Sequence, residues 1–373
     1  MLLEVTNFRS GAVLDYNDGI ENSDHLEITL EGIADPEAEV RIDGNPVKRL
    51  DKRFSGKAYL KKKINQVVVT SSNQYGELAH ALTLVWDKQA FKRYNFYIDD
   101  HIFFLAELAK ERPARAFDHF YLKGLKEINQ KYGTVMTLNC FYTNCHYPFE
   151  LKDMPDCYKQ EFEDNADWLK LSFHSYGEFP DRPYQHASAE TLANDYDLVR
   201  DEIIRFAGEK TFIPPVGIHW GMVNPDSFKV LHDRGVRMLD GEYLCGKVSL
   251  DEKDSVARVA DVGYFYEKDV TEYIWGRKVF YDRFADLFLS RCDLTVNMVP
   301  LQEIRAGVEA AANHPNYRTL LDLSSHEQYS FPGYFNYLPD HMQRLDETCK
   351  AATELGYQSV FFADGLLGNP VWE

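Results

Sequence analysis

The chain has 373 residues, of which 45% are hydrophobic, 27% charged and 14% aromatic. That length suits two domains, and with no Pro/Ser-rich or Gln/Asn-rich tract the chain is expected to fold throughout. A formal charge of -18 excludes a nucleic-acid partner, because binding a polyanion needs a basic face, and no stretch approaches the roughly 20 apolar residues of a membrane span.

From Val5 to about Trp86, short runs of alternating polarity are punctuated by turn residues. His25–Leu30 places Leu26, Ile28 and Leu30 on one face, Ala38–Ile42 and Gln66–Thr70 repeat the pattern, and Asp43-Gly44-Asn45-Pro46 lies between two of the runs. Period-two alternation joined by tight turns predicts antiparallel strands, here a small immunoglobulin-like β-sandwich over residues 1–88. After Asp87 apolar runs alternate with amphipathic stretches, predicting a second domain over 89–373. Its expected elements are a strand at Tyr94–Ile98, a helix at Phe117–Lys131, strands at Thr134–Leu138 and Trp168–Phe173, and a helix at Ser188–Ala207 with Ser188 as N-cap. Further pairs follow at Thr211–Ile213 with Pro225–Arg234, and at Val236–Leu239. Leu294–Met298 precedes a helix at Leu301–Asn313, Thr319–Leu323 precedes one at Tyr337–Leu355, and Ser359–Phe362 is the last strand. Repeated β-α units imply an α/β domain with a parallel sheet, closed or nearly closed into a (β/α) barrel. Reactive groups in such barrels sit where strands end.

Four strand ends carry polar groups. The first, Tyr97-Ile98-Asp99-Asp100-His101, puts two acids after an apolar run, where they are costly unless they meet a cation or hydrogen-bond donors. The second, Leu171-Ser172-Phe173-His174-Ser175-Tyr176-Gly177-Glu178, offers an imidazole and a carboxylate four residues apart, able to converge on one divalent ion if the chain turns. The third, Phe212-Ile213-Pro214-Pro215-Val216-Gly217-Ile218-His219-Trp220, is a stiff loop able to turn backbone N–H groups toward a substrate oxygen. The fourth, Leu321-Asp322-Leu323-Ser324-Ser325-His326-Glu327, ends in a histidine placed for proton transfer. Taken singly, each is matched by the ordinary case of an exposed turn or a structural histidine, and their order along the chain is what makes them specific.

In that order the four ends resemble the motifs of the polysaccharide deacetylase (NodB-like) superfamily, over most of residues 94–373. Its T-F-D-D-G motif is similar to Tyr97-Ile98-Asp99-Asp100-His101, which implies Asp99 as catalytic base and Asp100 as metal ligand. Its H-[ST]-x-x-H motif resembles His174-Ser175-Tyr176-Gly177-Glu178, implying His174 as ligand with Glu178 in place of the second histidine. The R-x-P-Y motif is reduced to Ile213-Pro214-Pro215-Val216-Gly217, without its arginine, for which Arg182 is a candidate substitute. The closing leucine-rich strand ending in histidine resembles Leu320–His326 and implies His326 as catalytic acid.

The resemblance implies a metal-dependent hydrolase that removes an acyl group, N- or O-acetyl, from a carbohydrate. Pro215, Val216, His219 and Trp220 are the candidate substrate-binding residues. The expected cofactor is a divalent ion, zinc or, given the carboxylate at Glu178, manganese, iron, magnesium, cobalt or nickel. Asp181 or His186 could fold back to complete its shell. Trp220, Trp275 and the aromatic run Tyr329–Tyr337 could stack on sugar rings or simply pack as a loop. The alternatives are another hydrolase on the same barrel, such as a glycoside hydrolase or an amidase of non-sugar bonds, or a catalytically silent carbohydrate-binding protein.

The six cysteines, Cys140, Cys145, Cys157, Cys245, Cys292 and Cys349, show no C-x-x-C pair and are expected to be free thiols. Cys140, Cys145 and His146 form a C-x4-C-H tract whose spacing is not diagnostic of a metal site. No segment near Met1 has the build of a secretory leader. A soluble protein is expected, cytoplasmic or, if a leader has been removed, secreted, and the sequence sets no oligomeric state.

Overall fold

The computed structural model describes residues 1–241, 243 and 266–372; Cys245 lies outside them. The chain divides into two compact units, one of residues 1–91, 279–286 and 369–373 and one of 92–278 and 287–368.

The first unit is all-β. One sheet orders Leu3–Val5, Leu26–Ala34, Arg53–Leu60 and Lys48–Leu50, with Gly19–Glu21 also on Leu26–Ala34. The other orders Val13–Leu14, Gly76–Trp86, Ile64–Asn73, Glu39–Ile42 and Asn45–Pro46. The alternation read from the sequence is the alternation of burial: Leu26, Ile28 and Leu30 are fully buried, as are Val67, Val69, Leu82 and Leu84 across the core. Asp43 and Gly44 have φ of 47° and 79°, the positive pair a two-residue hairpin turn needs, and Ile42 pairs with Asn45 across it.

The second unit is α/β. Its main sheet runs Leu169–Ser175, Met136–Phe141, Arg93–His101, Leu320–His326 and Leu294–Thr295, with Gln358–Ser359 beside the start of Arg93–His101. Every pairing in it is parallel. Helices such as Phe120–Tyr132 and Ala189–Ala207 connect the strands and bury one apolar face each. A strand covered on both sides is buried at every position, as Met136–Phe141 is, Thr137 and Asn139 included. A further parallel pair joins Met238–Gly241 to Leu287–Arg291. Among the described residues the ladders stop short of a closed barrel. Single contacts occupy the gap after Leu169–Ser175: the bridge Leu171–Phe212, and the Asp240 N–H donating to the Val216 carbonyl at 2.6 Å.

Several expected elements differ. Ser188 caps its helix as read, its Oγ accepting from the Thr191 N–H at 3.1 Å. Thr211–Ile213 is no strand: Thr211 closes the 3-10 turn Glu209–Thr211 and Phe212 makes an isolated bridge, because two prolines follow and proline carries no donor for a ladder. Leu294–Met298 is a strand for two residues and then a 3-10 turn over Val296–Met298. Ser359–Phe362 shortens to Gln358–Ser359. Phe103–Glu111 is a helix that the sequence did not announce.

Candidate metal and catalytic site

A strand turns successive side chains to opposite faces, so Asp99 and Asp100 cannot both face one cavity from a regular strand. The structure breaks the alternation there. Between the pairs Ile98–Leu138 and His101–Cys140 the Arg93–His101 strand carries one extra residue, and Asp100 has φ 65°, a left-handed conformation that aspartate tolerates better than most residues. The same device recurs next door. Cys140 pairs with Phe173 but Phe141 pairs with Ser175, so His174 is the extra residue of its strand. Two bulges thus aim Asp100 and His174 at the same place, while Asp99 stays in register with His326.

Asp100, His174 and His219 form a buried group able to hold a metal ion. His174 Nε2 lies 3.2 Å from Asp100 Oδ1, His219 Nδ1 lies 3.5 Å from the same oxygen, and the two nitrogens are 3.1 Å apart. The opposite nitrogens face backbone carbonyls, His174 Nδ1 that of Gly217 at 3.4 Å and His219 Nε2 that of Glu178 at 3.1 Å. A carbonyl only accepts, so each of those nitrogens carries the ring proton and leaves its partner nitrogen a lone pair. Three lone-pair atoms then converge with no hydrogen between them, and Asp100 Oδ1 is buried without a hydrogen-bond partner among the described residues. Such a cluster is settled by a positive charge, whether a proton on His174 or a metal ion. Ligands about 2.1 Å from one ion, at tetrahedral to octahedral angles, stand roughly 3.0–3.4 Å from each other, close to the separations found here. Ring N–H groups tied to carbonyls are also the usual support of metal-bound histidines. Two imidazoles and one carboxylate suit zinc or iron better than magnesium, which prefers an all-oxygen shell.

The electrostatics agree. Burial opposes charge on Asp100, but the contact with His174 and the nearby His326 and His219 rings outweigh it and hold its carboxyl well below the usual range. Burial, with the His174 charge beside it, pushes His219 down to about 4, keeping that ring neutral and available as a ligand. Burial also works against a charged His174, yet the Asp99 and Asp100 carboxylates prevail and raise it, so a proton competes with a cation for the same pocket.

Asp99 lies outside the triad and beside it. Its Oδ1 accepts from Asn139 Nδ2 at 2.7 Å and lies 3.6 Å from His174 Nδ1. Burial raises its pKa against the pull of His174 and His326, which makes it a stronger base than an exposed aspartate. His326 Nδ1 faces Asn297 Oδ1 at 2.9 Å, so this nitrogen donates and Nε2 is left for other work. Asp99, Asp100, His174, His219 and His326 all line one cavity of about 510 Å³, a volume suited to a small organic ligand.

The remaining sequence candidates separate. Glu178 lines the cavity, but its carboxylate turns to Cys145 and His146, and His219 takes the place in the triad expected for it. The acid follows a chain turn at Tyr176-Gly177 that carries it past the triad, leaving only its backbone carbonyl in contact with His219. Trp220 lines the cavity under the Arg182 guanidinium, 5.0 Å from its ring. Arg182 is therefore engaged there, and Asn139 rather than an arginine holds Asp99. Pro215 and Val216 are buried behind the wall, where Gly217 and Ile218 form the lining. Asp181 lines the cavity and His186 is not among its lining residues. Asn139, Asn297 and the Tyr97–Asp240 pair, in which the phenol donates to the carboxylate, were not singled out from the sequence. Asn139 had a signal, as a lone amide inside the apolar run Met136–Phe141.

Among the described residues no helix is long and apolar enough to cross a membrane. The chain matches no family model and no curated protein. Among solved structures, a peptidoglycan N-acetylglucosamine deacetylase is similar at 13% identity and TM-score 0.36, over 72% of this chain and 85% of that one. A GH5 xyloglucanase from Bacteroides ovatus is similar at 10% identity and TM-score 0.25, over 94% and 99%. Both likenesses are too weak to carry an activity to this chain.

Proposed function

We propose that this chain is a metal-dependent hydrolase that removes an acyl group, an acetyl group above all, from a carbohydrate. The observation that carries the reading is the convergence of three lone-pair atoms, from Asp100, His174 and His219, beside a half-buried base and a histidine whose Nδ1 is fixed by Asn297. The resemblance of the Asp99-Asp100, His174 and His326 strand ends to the deacetylase motifs supports it.

Asp100, His174 and His219 would hold the ion. A divalent cation there supplies polarisation of an acyl oxygen and acidifies water. The chain's own residues do the rest. Asp99, oriented by Asn139 and made more basic by burial, takes the proton of the attacking water. His326, its Nδ1 fixed by Asn297, delivers a proton from Nε2 to the departing amine or alkoxide. Trp220, 39% exposed at the cavity, offers a ring face for a sugar to stack on.

A panel of N- and O-acetylated glycans, assayed in parallel for acetate and for new reducing ends, tests the reading. Acetate release that falls by about 10²–10⁴-fold in Asp99→Asn is expected. Reducing ends without acetate would instead establish a glycoside hydrolase, and glycan binding with neither product a silent binding protein.

A further inference from the structure

The Glu178 carboxylate, displaced from the triad, gathers a second set of metal-ligand atoms. Its Oε2 lies 2.8 Å from His146 Nε2 and 2.9 Å from Cys145 Sγ, and Gln328 Nε2 donates to the same oxygen at 3.2 Å. The sulfur, the imidazole nitrogen and the carboxylate oxygen all lie within 4.8 Å of one another. We propose that Cys145, His146 and Glu178 form a second metal site, distinct from the Asp100–His174–His219 triad and selective for a thiophilic divalent ion, zinc in the first place.

The site is built by the fold. The Tyr142 and Thr143 N–H groups donate to the Tyr176 carbonyl at 3.1 and 2.9 Å, tying the Cys145 loop to the turn that carries Glu178. Gly177 permits that approach, since a Cβ there would stand 2.9 Å from Thr143 Cγ2. Asn144 then shapes the loop from within, its Oδ1 accepting from the His146 N–H at 2.8 Å and its N–H donating to the Phe149 carbonyl at 3.0 Å. The ligand atoms remain reachable: the His146 side chain is 26% and that of Glu178 16% exposed. Glu178 lines the cavity of the triad and His146 a neighbouring cavity of about 710 Å³, so the ion would sit in the wall they share. A thiolate in the ligand set selects zinc over magnesium or calcium. Binding replaces the S–H bond of Cys145 by a sulfur–metal bond, releasing that proton to solvent, and shifts the His146 ring proton from Nε2, where it faces Glu178, to Nδ1.

Titration of the whole, chelator-stripped protein with Co²⁺ tests the site by absorption. The wild type is expected to take up two equivalents, one of them with a thiolate-to-cobalt charge-transfer band. Cys145→Ser should abolish the band and one equivalent, Glu178→Gln should weaken that equivalent at least about tenfold, and His174→Ala should remove the other equivalent while the band persists. A wild type that binds cobalt without the band, or a Cys145→Ser protein that keeps it, overturns the proposal and leaves the three side chains as a hydrogen-bonded cluster only.

Discussion

The two residues that best separate this account from the reading of the sequence alone are His219 and Glu178. Replacing His219 by alanine removes a ligand and should weaken the ion of the triad by about 100-fold or more, measured by competition with a chelating dye. Glu178→Ala should leave that affinity within about threefold, because its carboxylate does not reach the triad. Asn139 acts on chemistry without touching the ion: Asn139→Ala should lower kcat by about 10–100-fold with metal content unchanged, since Asp99 loses its 2.7 Å donor. The proton that competes with the cation sets a pH dependence. His174 is raised above the ordinary imidazole value in the metal-free protein, so affinity should already decline as pH falls through a point above about 6.5, by up to tenfold per pH unit. An affinity flat from pH 8 to 6 would contradict this. The strand-end pattern brought attention to Asp99, Asp100, His174 and His326, and the structure places all four in one cavity. It missed the partners that fix their orientation because Asn297 is legible only once neighbouring elements are paired, and the amide of Asn139, though visible in its strand, shows its target only then.

At the scale of elements, strands and long helices were readable because each repeats a local period, as in Leu26–Ala34 and Ala189–Ala207. The Phe103–Glu111 helix was not, because its start has no local cap: Ile102 offers none. The cap comes instead from Glu327, whose carboxylate accepts from the Ile102, Phe103 and Phe104 N–H groups at 2.7, 2.9 and 2.7 Å. A cap supplied by the 3-10 turn that begins at Glu327, far along the chain, cannot be seen in a local window. The same contact locks the Asp99-Asp100 bulge against the strand that ends in His326. Glu327→Ala strands three buried donors and should cost about 2–4 kcal/mol in chemical denaturation; a loss under about 0.5 kcal/mol would show that the clamp is incidental. The bulges at Asp100 and His174 were likewise invisible, since an extra residue is defined only against its partner strand.

At the scale of the molecule, composition and alternation sufficed for an all-β first unit and an α/β second one. Expected barrel closure was not met by ladders among the described residues, because the proline-bearing segment after Phe212 cannot complete a regular strand. Global stability carries its own signature. His341 is buried between Ser325 and Ser330, bonded to their hydroxyls at 2.8 and 2.6 Å, and burial, aided by His326 and Arg344, pushes it down to about 3. Its folded-state value lies below the unfolded one, so its contribution is complete above about pH 6.5 and is lost as pH falls toward 3, at most about 1.4 kcal/mol per pH unit. Denaturation across that window should show a steeper loss for the wild type than for His341→Gln.

The central claim is that a cation held by Asp100, His174 and His219 serves hydrolysis at the Asp99–His326 cavity. Acetate release from acetylated glycans, measured before and after chelator treatment and again after zinc is restored in excess of two equivalents, addresses it most directly. The account predicts release that disappears with the metal and returns with it, and that stays absent in His219→Ala. Turnover unchanged in the stripped protein, or in His219→Ala, would contradict it.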